Sequence, residues 1–178
     1  MKKIIVVCGL ISGIIVSTFM VSSVAVCYST SDFEGNMLLG YAAMLLSFSL
    51  IFVGIKNFRD KFNGGFVTFG KALQIGLLIT LIASTVYVIV WLVDYYLFVP
   101  EFMERYTTHV MRELQREGAT AQELQEKSVE MDGYREMYKS PLMVILFTYA
   151  EILPIGLIVS LLSALILKKK PSQSLPTI

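Results

Sequence analysis

Four long apolar stretches constrain the fold of this chain more than any other feature. A helix needs about 20 mostly apolar residues to cross the hydrocarbon core of a bilayer. The stretches that meet this requirement are Ile4–Tyr28, Met37–Ile55, Ala72–Val93 and Leu142–Leu167. They dominate a chain of 178 residues in which 55% are hydrophobic and only 16% are charged, whereas soluble domains carry about 25% charged residues. The sequence predicts an all-α integral membrane protein with four transmembrane helices. It excludes a nucleic-acid-binding protein and an ordinary water-soluble enzyme.

The first stretch also begins like a secretory signal, with Met1-Lys2-Lys3. A signal peptide has an apolar core of about 7–15 residues, followed by a cleavage site of the small-x-small type. Here the apolar run lasts 25 residues, and Val24-Ala25-Val26 fits such a site poorly. We therefore expect a retained helix rather than a cleaved signal.

Basic residues near the spans predict the orientation of the chain, because Lys and Arg beside membrane-spanning helices stay on the cytoplasmic side. With the N-terminus in the cytoplasm, nine basic residues flank the spans on that side: Lys2, Lys3, Lys56, Arg59, Lys61, Lys71, Lys168, Lys169 and Lys170. On the opposite side, segment 29–36 has no basic residue, and segment 94–140 has six basic and ten acidic residues, a net charge of −4. The pattern predicts that both termini are cytoplasmic.

Segment 94–140 predicts an extracytoplasmic helical hairpin between transmembrane helices 3 and 4. Its first half has an apolar residue at every fourth position, which is typical of one helix face: Phe102, Tyr106, Val110 and Leu114. Gly118 ends this helix, and Thr120 and Glu123 have the spacing of a capping box at the start of the next one. The second half has a heptad-spaced stripe: Leu124, Met131 and Tyr138. These faces favour a hairpin packed on itself and on the bundle; a partner-docking or lid element is the alternative.

Glu151 is the one acidic or basic residue inside a span, where a charged side chain costs about 3 kcal/mol or more at the helix centre. It lies nine residues after Leu142, which is about 13 Å deep at ~1.5 Å per residue, near the midplane. Because no span core contains a basic partner, the carboxyl should be neutral, facing a polar pocket, or else face water. Hydroxyls at a similar depth in the other spans are the expected neighbours: Thr18, Ser47, and Ser84 or Thr85.

Pro154 and Gly156 follow Glu151 closely in the fourth span. Proline has no backbone N–H and kinks a helix, so it frees the carbonyl near Ala150. A carboxyl beside freed carbonyls is one way in which transporters build ion sites at broken helices. Alternatively, Glu151 hydrogen-bonds a neighbouring helix and only holds a kinked bundle together. The sequence leaves both interpretations open.

Three stripes of small residues predict close helix packing. Gly9 and Gly13 form a GxxxG pattern in the first span. The stripes of the third and fourth spans are Ala72, Gly76, Thr80 and Ser84, and Gly156, Ser160 and Ala164. We interpret them as packing faces rather than dimerisation motifs. Since Glu151 lies about 140° from Gly156 around an ideal helix, the fourth span should contact neighbours on two faces.

Asp94 is a weaker candidate for chemistry, because it stands at the end of the third span. Its aromatic neighbours Trp91, Tyr95 and Tyr96 are typical of an interfacial belt. We therefore expect Asp94 to be in water.

Other chemical signatures are missing from the sequence. Cys8 and Cys27 lie on one helix, nearly 30 Å apart at ~1.5 Å per residue, and cannot form a disulfide with each other. The single histidine, His109, comes without a cysteine or second histidine that would complete a metal site. No phosphate-binding loop, GxSxG or HExxH motif is present. We expect no enzymatic activity and no cofactor.

Several motifs carry a family resemblance over nearly the whole chain. Gly65-Phe66 and Thr68-Phe69-Gly70-Lys71-Ala72-Leu73 lead to Gly76, with Tyr87 and Trp91 further along the third span. Val99-Pro100-Glu101-Phe102 precedes the hairpin and Met137-Tyr138-Lys139-Ser140-Pro141 ends it. The fourth span contains Glu151-Ile152-Leu153-Pro154-Ile155-Gly156-Leu157-Ile158-Val159-Ser160-Leu161. In these motifs the chain resembles the bacterial membrane domain-of-unknown-function family numbered 4199. The resemblance implies a four-helix inner-membrane protein and leaves its activity open.

Two functional hypotheses follow for a single membrane domain, residues 1–170, with a disordered cytoplasmic tail, 171–178. The leading one is a non-enzymatic bacterial inner-membrane protein that works in the lipid bilayer through a homo-oligomer or other membrane proteins. The alternative is a small oligomeric transporter or channel that uses Glu151 as a proton- or cation-coupling carboxyl. A water-filled cavity at Glu151 would favour transport, whereas a dry, hydrogen-bonded Glu151 would favour the partner-binding role.

Overall fold

A computed structural model describes residues 1–30 and 37–170, and its elements are helical. The helices are α1 (Lys2–Thr30), α2 (Met37–Asn57), α3 (Phe69–Val93), α4 (Phe102–Arg116), α5 (Ala121–Tyr138) and α6 (Pro141–Leu167). Single π-helical turns, Phe58–Phe62 and Asp94–Phe98, extend α2 and α3. Four helices are long and apolar enough to cross a membrane, so the predicted all-α fold with four spans is confirmed. Residues 31–36 and the tail at 171–178, which the sequence predicts to be disordered, lie outside the described residues.

Local chemistry explains why the spans are slightly longer than the apolar stretches alone predict. α3 begins at Phe69 because the Thr68 hydroxyl accepts a hydrogen bond from the Lys71 N–H at 3.4 Å. α6 begins with Pro141, whose fixed φ suits the first helical position and whose missing N–H is not needed there. Gly64 and Gly65 have φ of +62° and +83°, which allows the tight reversal between α2 and α3.

The four long helices form a bundle in the cyclic order α1, α3, α6, α2. Large apolar side chains cover its outward faces; Leu38, Leu46 and Ile166 are 78%, 70% and 69% exposed. Apolar surface of this extent marks a membrane- or partner-facing surface. The bundle thus exposes large apolar side chains on its outside, as a membrane protein requires, and it also buries polar residues such as Ser12, Ser84 and Ser160 inside.

One end of the bundle, here named the basic end, collects the nine flanking basic residues at the starts of α1 and α3 and the ends of α2 and α6. Val67 and Lys169 exchange backbone hydrogen bonds of 3.1 and 2.9 Å there. The Arg59 guanidinium also donates to the Leu167 carbonyl at 3.4 Å, where the end of α6 leaves carbonyl groups free. These contacts join the α2–α3 loop to the end of α6.

At the opposite end, the hairpin end, α4 and α5 pack against each other. Gly118 separates them with φ of +80°. Met103 and Met131 are the buried residues of the two helices. Tyr106, which the sequence pattern assigns to the apolar face of α4, is 38% exposed, so the buried side of α4 is centred on Met103 instead. The side of the membrane on which this pair lies stays a prediction.

The predicted capping box of α5 is confirmed. The Thr120 hydroxyl accepts from the Glu123 N–H at 3.3 Å, and the Glu123 carboxylate accepts from the Thr120 N–H at 2.7 Å. Since a lost cap costs about 1 kcal/mol, Thr120→Ala should loosen α5 without unfolding the bundle. Hydrogen exchange across residues 121–138 should become faster in this variant and stay unchanged in the membrane helices. Unchanged exchange in α5 would contradict the capping role.

The same box predicts a pH dependence. The hydrogen bond from the Thr120 backbone lowers the pKa of Glu123, so the stabilisation from the carboxylate is complete above the unfolded value, about 4.3. It is lost as the pH falls through the lower folded value. Protection of α5 against hydrogen exchange should therefore fall on acidification in the wild-type protein, whereas Glu123→Gln, which has no carboxylate to protonate, should show no such fall. Equal pH dependence in the two proteins would contradict this.

Candidate functional site

Hollow space separates two clusters of buried apolar side chains. The basic-end cluster extends from Leu167 and Ile55 up to Tyr87. The hairpin-end cluster contains Val24, Trp91, Tyr95, Val99, Met103 and Val144. Between the two clusters lie two adjoining cavities of about 220 and 300 Å³. The bundle is thus densely packed in its basic half and hollow in its hairpin half.

Glu151 lines both cavities. It stands on α6 directly before Ile152, which has no exposed surface, while Glu151 itself is exposed. Within residues 1–30 and 37–170, no hydrogen bond to its carboxyl is present. The residues that line the two cavities include no lysine or arginine. A carboxyl near the middle of a span therefore faces open space without a counter-charge.

The walls of the cavities are mostly aromatic and apolar. The two cavities share Met20, Val24, Tyr87, Phe102 and Glu151. The smaller one adds Trp91, Tyr138 and Thr148, and the larger one extends to Val16, Phe19, Ser23, Gly40 and Met44. Because Ser23 on α1 is exposed, as Glu151 is, the cavities open to the surroundings in the hairpin half of the bundle.

Ring contacts hold the aromatic walls in place. Trp91 meets Phe102 edge to face, with ring centroids 5.2 Å apart and planes at 84°, an arrangement that aromatic pairs prefer. Phe102 is the first residue of α4, and Arg105, one turn later, lies over the Tyr28 ring at 4.6 Å from its centroid. This cation–π contact fastens α4 to α1, so that Phe102 stays over the cavities.

Tyr138, at the end of α5, lines the smaller cavity together with Glu151. Its ring stacks on Phe147 with centroids 5.9 Å apart, which directs it along α6 toward the cavity. Burial raises the pKa of Tyr138 to about 12. The Tyr138 hydroxyl therefore stays protonated at neutral pH.

The hydroxyls that the sequence suggested as neighbours of Glu151 bond elsewhere. Thr18 donates to the Ile14 carbonyl at 2.8 Å and Ser47 to the Ala43 carbonyl at 2.9 Å. Thr85 contacts the Tyr149 hydroxyl at 2.8 Å. Equal depth in the membrane was therefore a poor guide to the neighbours of Glu151. Ser and Thr hydroxyls inside an apolar helix donate to the backbone carbonyl four residues earlier in the same helix. None of these three hydroxyls lines the cavities with Glu151.

Ser84 differs from the other three hydroxyl residues. It is fully buried, and its hydroxyl has no hydrogen-bond partner in the part of the chain that the structure describes. It does not line either cavity. Ser84 thus belongs to the packed interior of α3 and not to the surroundings of Glu151.

Pro154 and Gly156 are also separate from the cavity. α6 runs as one α-helix through Pro154, whose side chain is exposed, so no broken helix lies beside Glu151. Gly156 is buried against Thr80 of α3 and Phe48 of α2. Hence the two faces of α6 differ in role. One face packs against α2 and α3, and the other carries Glu151.

The predicted small-residue stripes meet each other. The Thr80 hydroxyl donates to the Gly156 carbonyl at 3.2 Å and lies 3.1 Å from the Ser160 hydroxyl. Gly76 faces Ser160, and Ala164 is fully buried further along α6. These contacts form the α3–α6 seam.

The GxxxG residues of α1 face α3. A Cβ built at Gly9 would lie 2.7 Å from the Ile82 Cβ, and one built at Gly13 would lie 2.7 Å from the Val86 Cβ. The GxxxG pattern is therefore used within the chain, in the α1–α3 seam.

Asp94 and its aromatic neighbours are not where the sequence predicts them. Asp94 is only 8% exposed, and one carboxyl oxygen is buried without a hydrogen-bond partner among the described residues. Trp91 and Tyr95 are buried in the hairpin-end cluster, whereas Tyr96 is 40% exposed. The expectation that Asp94 lies in water within an interfacial belt is wrong, because Asp94 and Tyr95 are buried in the turn at the end of α3, beside the hairpin-end cluster.

The fold and its apolar surface define a class, a four-span α-helical membrane protein. The family described as "Protein of unknown function (DUF4199)" matches residues 8–169. The chain belongs to this family, as the resemblance in its sequence motifs predicted. Comparisons with curated proteins and with solved structures gave no match.

Proposed function

We propose that this protein is a non-enzymatic membrane protein that binds a cation at Glu151 in exchange for a proton, and so belongs with small transporters or channels. The supporting observation is the open cavity at Glu151. A protein that only binds partners would be expected to keep this carboxyl dry and hydrogen-bonded. In a cavity with mostly apolar walls, even one that water can enter, an ionised carboxylate without a counter-charge is costly. Glu151 therefore holds a proton until a cation replaces it.

The proposal includes an orientation and an assembly. The bundle lies in a bacterial inner membrane with both termini in the cytoplasm, since the nine basic residues gather at the basic end. The hollow half then lies on the side away from the cytoplasm. Because the basic half is densely packed around Phe48, Ile51 and Ile79, transport needs a second conformation or a homo-oligomer. A cation that enters from outside would reach Glu151 and stop at this packed layer.

Infrared difference spectroscopy of the protein in lipid nanodiscs tests the exchange, with the Glu151→Gln variant as the spectral blank. At neutral pH without cations we expect a protonated carboxyl at this position, and it should exchange its proton for deuterium within seconds in D₂O. Glu151→Gln should keep the thermal stability, since the carboxyl has no hydrogen bond to lose within the described residues.

A Glu151 carboxyl that resists deuterium exchange for hours would overturn the proposal and favour the partner-binding role. A carboxylate already ionised at neutral pH without cations would contradict the exchange step. The matched control is Glu123→Gln, which removes an exposed carboxyl from α5 and should leave the signal of the intramembrane carboxyl unchanged.

A further inference from the structure

The lining of the two cavities suggests which cation fits. Their volumes, about 220 and 300 Å³, approach the range of small-molecule sites, which begins at about 300 Å³. A bare metal ion would leave most of this space empty. The volume instead suits a small organic molecule.

Glu151 is the one acidic or basic side chain in the lining. A single carboxylate neutralises one positive charge. Divalent metal ions favour several oxygen ligands in a fixed geometry, and no group of three or more His, Cys, Asp or Glu residues able to hold a metal occurs in the described ranges. The charge count therefore favours a monovalent ligand.

The remaining walls are suited to an organic cation. Tyr87, Trp91, Phe102 and Tyr138 line the smaller cavity beside Glu151, and aromatic faces attract cations, including quaternary ammonium groups. Met20 lines both cavities and Met44 the larger one; flexible thioether side chains adapt to apolar ligands of varied shape. The wall chemistry thus combines one negative charge with polarisable apolar surface.

The negative charge of the hairpin end also favours a cationic ligand. Segment 94–140, which covers the hairpin end, has ten acidic and six basic residues, a net charge of −4. Arg105, one turn after the cavity-lining Phe102, is paired with Glu101 at 3.1 Å. A negative surface raises the local concentration of cations.

We infer that the ligand of Glu151 is a monovalent organic cation with an apolar body, of the aryl-ammonium class. This inference rests on the proposed function and adds the substrate class to it. The cation places its charge between the Glu151 carboxylate and the aromatic rings, and its apolar body extends along Met20 and Met44. Binding of the cation releases the proton of Glu151 to water, so the positive charge of the ligand replaces that of the proton.

Isothermal titration calorimetry tests the inference with the full-length protein in phosphatidylcholine nanodiscs and with empty nanodiscs as background. The probe is benzyltrimethylammonium. Its uncharged carbon analogue, neopentylbenzene, serves as the matched control ligand, and potassium serves as the inorganic control. Titrations in two buffers with different heats of ionisation give the number of protons released.

We expect benzyltrimethylammonium to bind with release of about one proton, and to bind about tenfold more weakly for each unit by which the pH falls. Glu151→Gln should weaken binding at least thirtyfold and abolish proton release. Phe102→Leu should weaken it about threefold to thirtyfold, the range of cation–π contacts. Val129→Leu, at a 63% exposed position on α5, should change nothing.

Equal binding of neopentylbenzene would overturn the inference, because charge would then not be recognised. Potassium binding with proton release, in the absence of benzyltrimethylammonium binding, would also overturn it while the proposed exchange at Glu151 stands. If neither cation binds and deuterium does not reach Glu151, the inference and the proposed function both fail.

Discussion

Gly156→Ala should lower the free energy of unfolding by about 3 kcal/mol, the upper end of the usual cost of overpacking, although alanine is the better helix former. A Cβ at this position would collide with the Thr80 Cγ2 methyl group and lie 2.9 Å from its hydroxyl and 3.1 Å from the Phe48 ring. The α3–α6 seam would have to open, and the hydrogen bond from Thr80 to the Gly156 carbonyl would lengthen. Unfolding in mixed micelles, followed by the fluorescence of Trp91, measures the loss.

A second variant locates the cause of that loss. Thr80→Ser removes the colliding methyl group and keeps the hydroxyl, so the double variant Gly156→Ala with Thr80→Ser should recover part of the lost stability. Such coupling is expected only for residues in contact. The control is Gly40→Ala, since nothing lies within 4 Å of a Cβ built there. If the Thr80 and Gly156 effects simply add, the seam as described is wrong.

Gly13→Leu should have an even larger effect, because the groups that it would meet cannot move aside. A Cβ there would lie 2.7 Å from the branched Val86 Cβ and 3.1 Å from the Ala83 carbonyl oxygen, both fixed to the α3 backbone. We expect a cost above about 3 kcal/mol and little folded protein after extraction in mild detergent. Ile14→Leu, one residue away at a 58% exposed position, is the control and should be extracted like the wild-type protein.

The Gly13 variant also separates two uses of the GxxxG pattern. If the pattern joins two copies of the chain rather than α1 and α3, Gly13→Leu would give a stable folded monomer. Size-exclusion chromatography with circular dichroism distinguishes that outcome from loss of the fold.

The sequence predicted the fold well, because membrane-spanning helices depend on local features. A long apolar run is enough to predict each span, and the Thr120 hydroxyl caps a helix that begins at the next residue. Both features can therefore be identified from neighbouring residues alone. Gly76, Thr80 and Ser160 could likewise be identified as packing residues, since small side chains are needed wherever helix backbones approach. Predicting these features does not require knowing which helices are neighbours.

The surroundings of Glu151 could not be predicted in the same way, because they depend on the order and tilt of the helices. Matching depth pointed to Thr18 and Ser47, which bond to their own helices. The actual walls include Phe102 and Tyr138, which lie outside the predicted spans and fold back over the bundle. The spacing of Tyr87 and Trp91, four residues apart on one face of α3, was the available signal.

The central claim, that Glu151 faces a water-accessible cavity in the hairpin half, is tested most directly by cysteine labelling in intact cells with a permeabilised outer membrane. The background carries Cys8→Ser and Cys27→Ser. Single variants Glu151→Cys, Ile152→Cys and Gln115→Cys are treated with a membrane-impermeant thiol reagent, and Gln173→Cys serves as the cytoplasmic control. We expect labelling at positions 151 and 115 and none at 152, where no surface is exposed, or at 173. A folded protein labelled at position 115 but not at 151 would contradict the account.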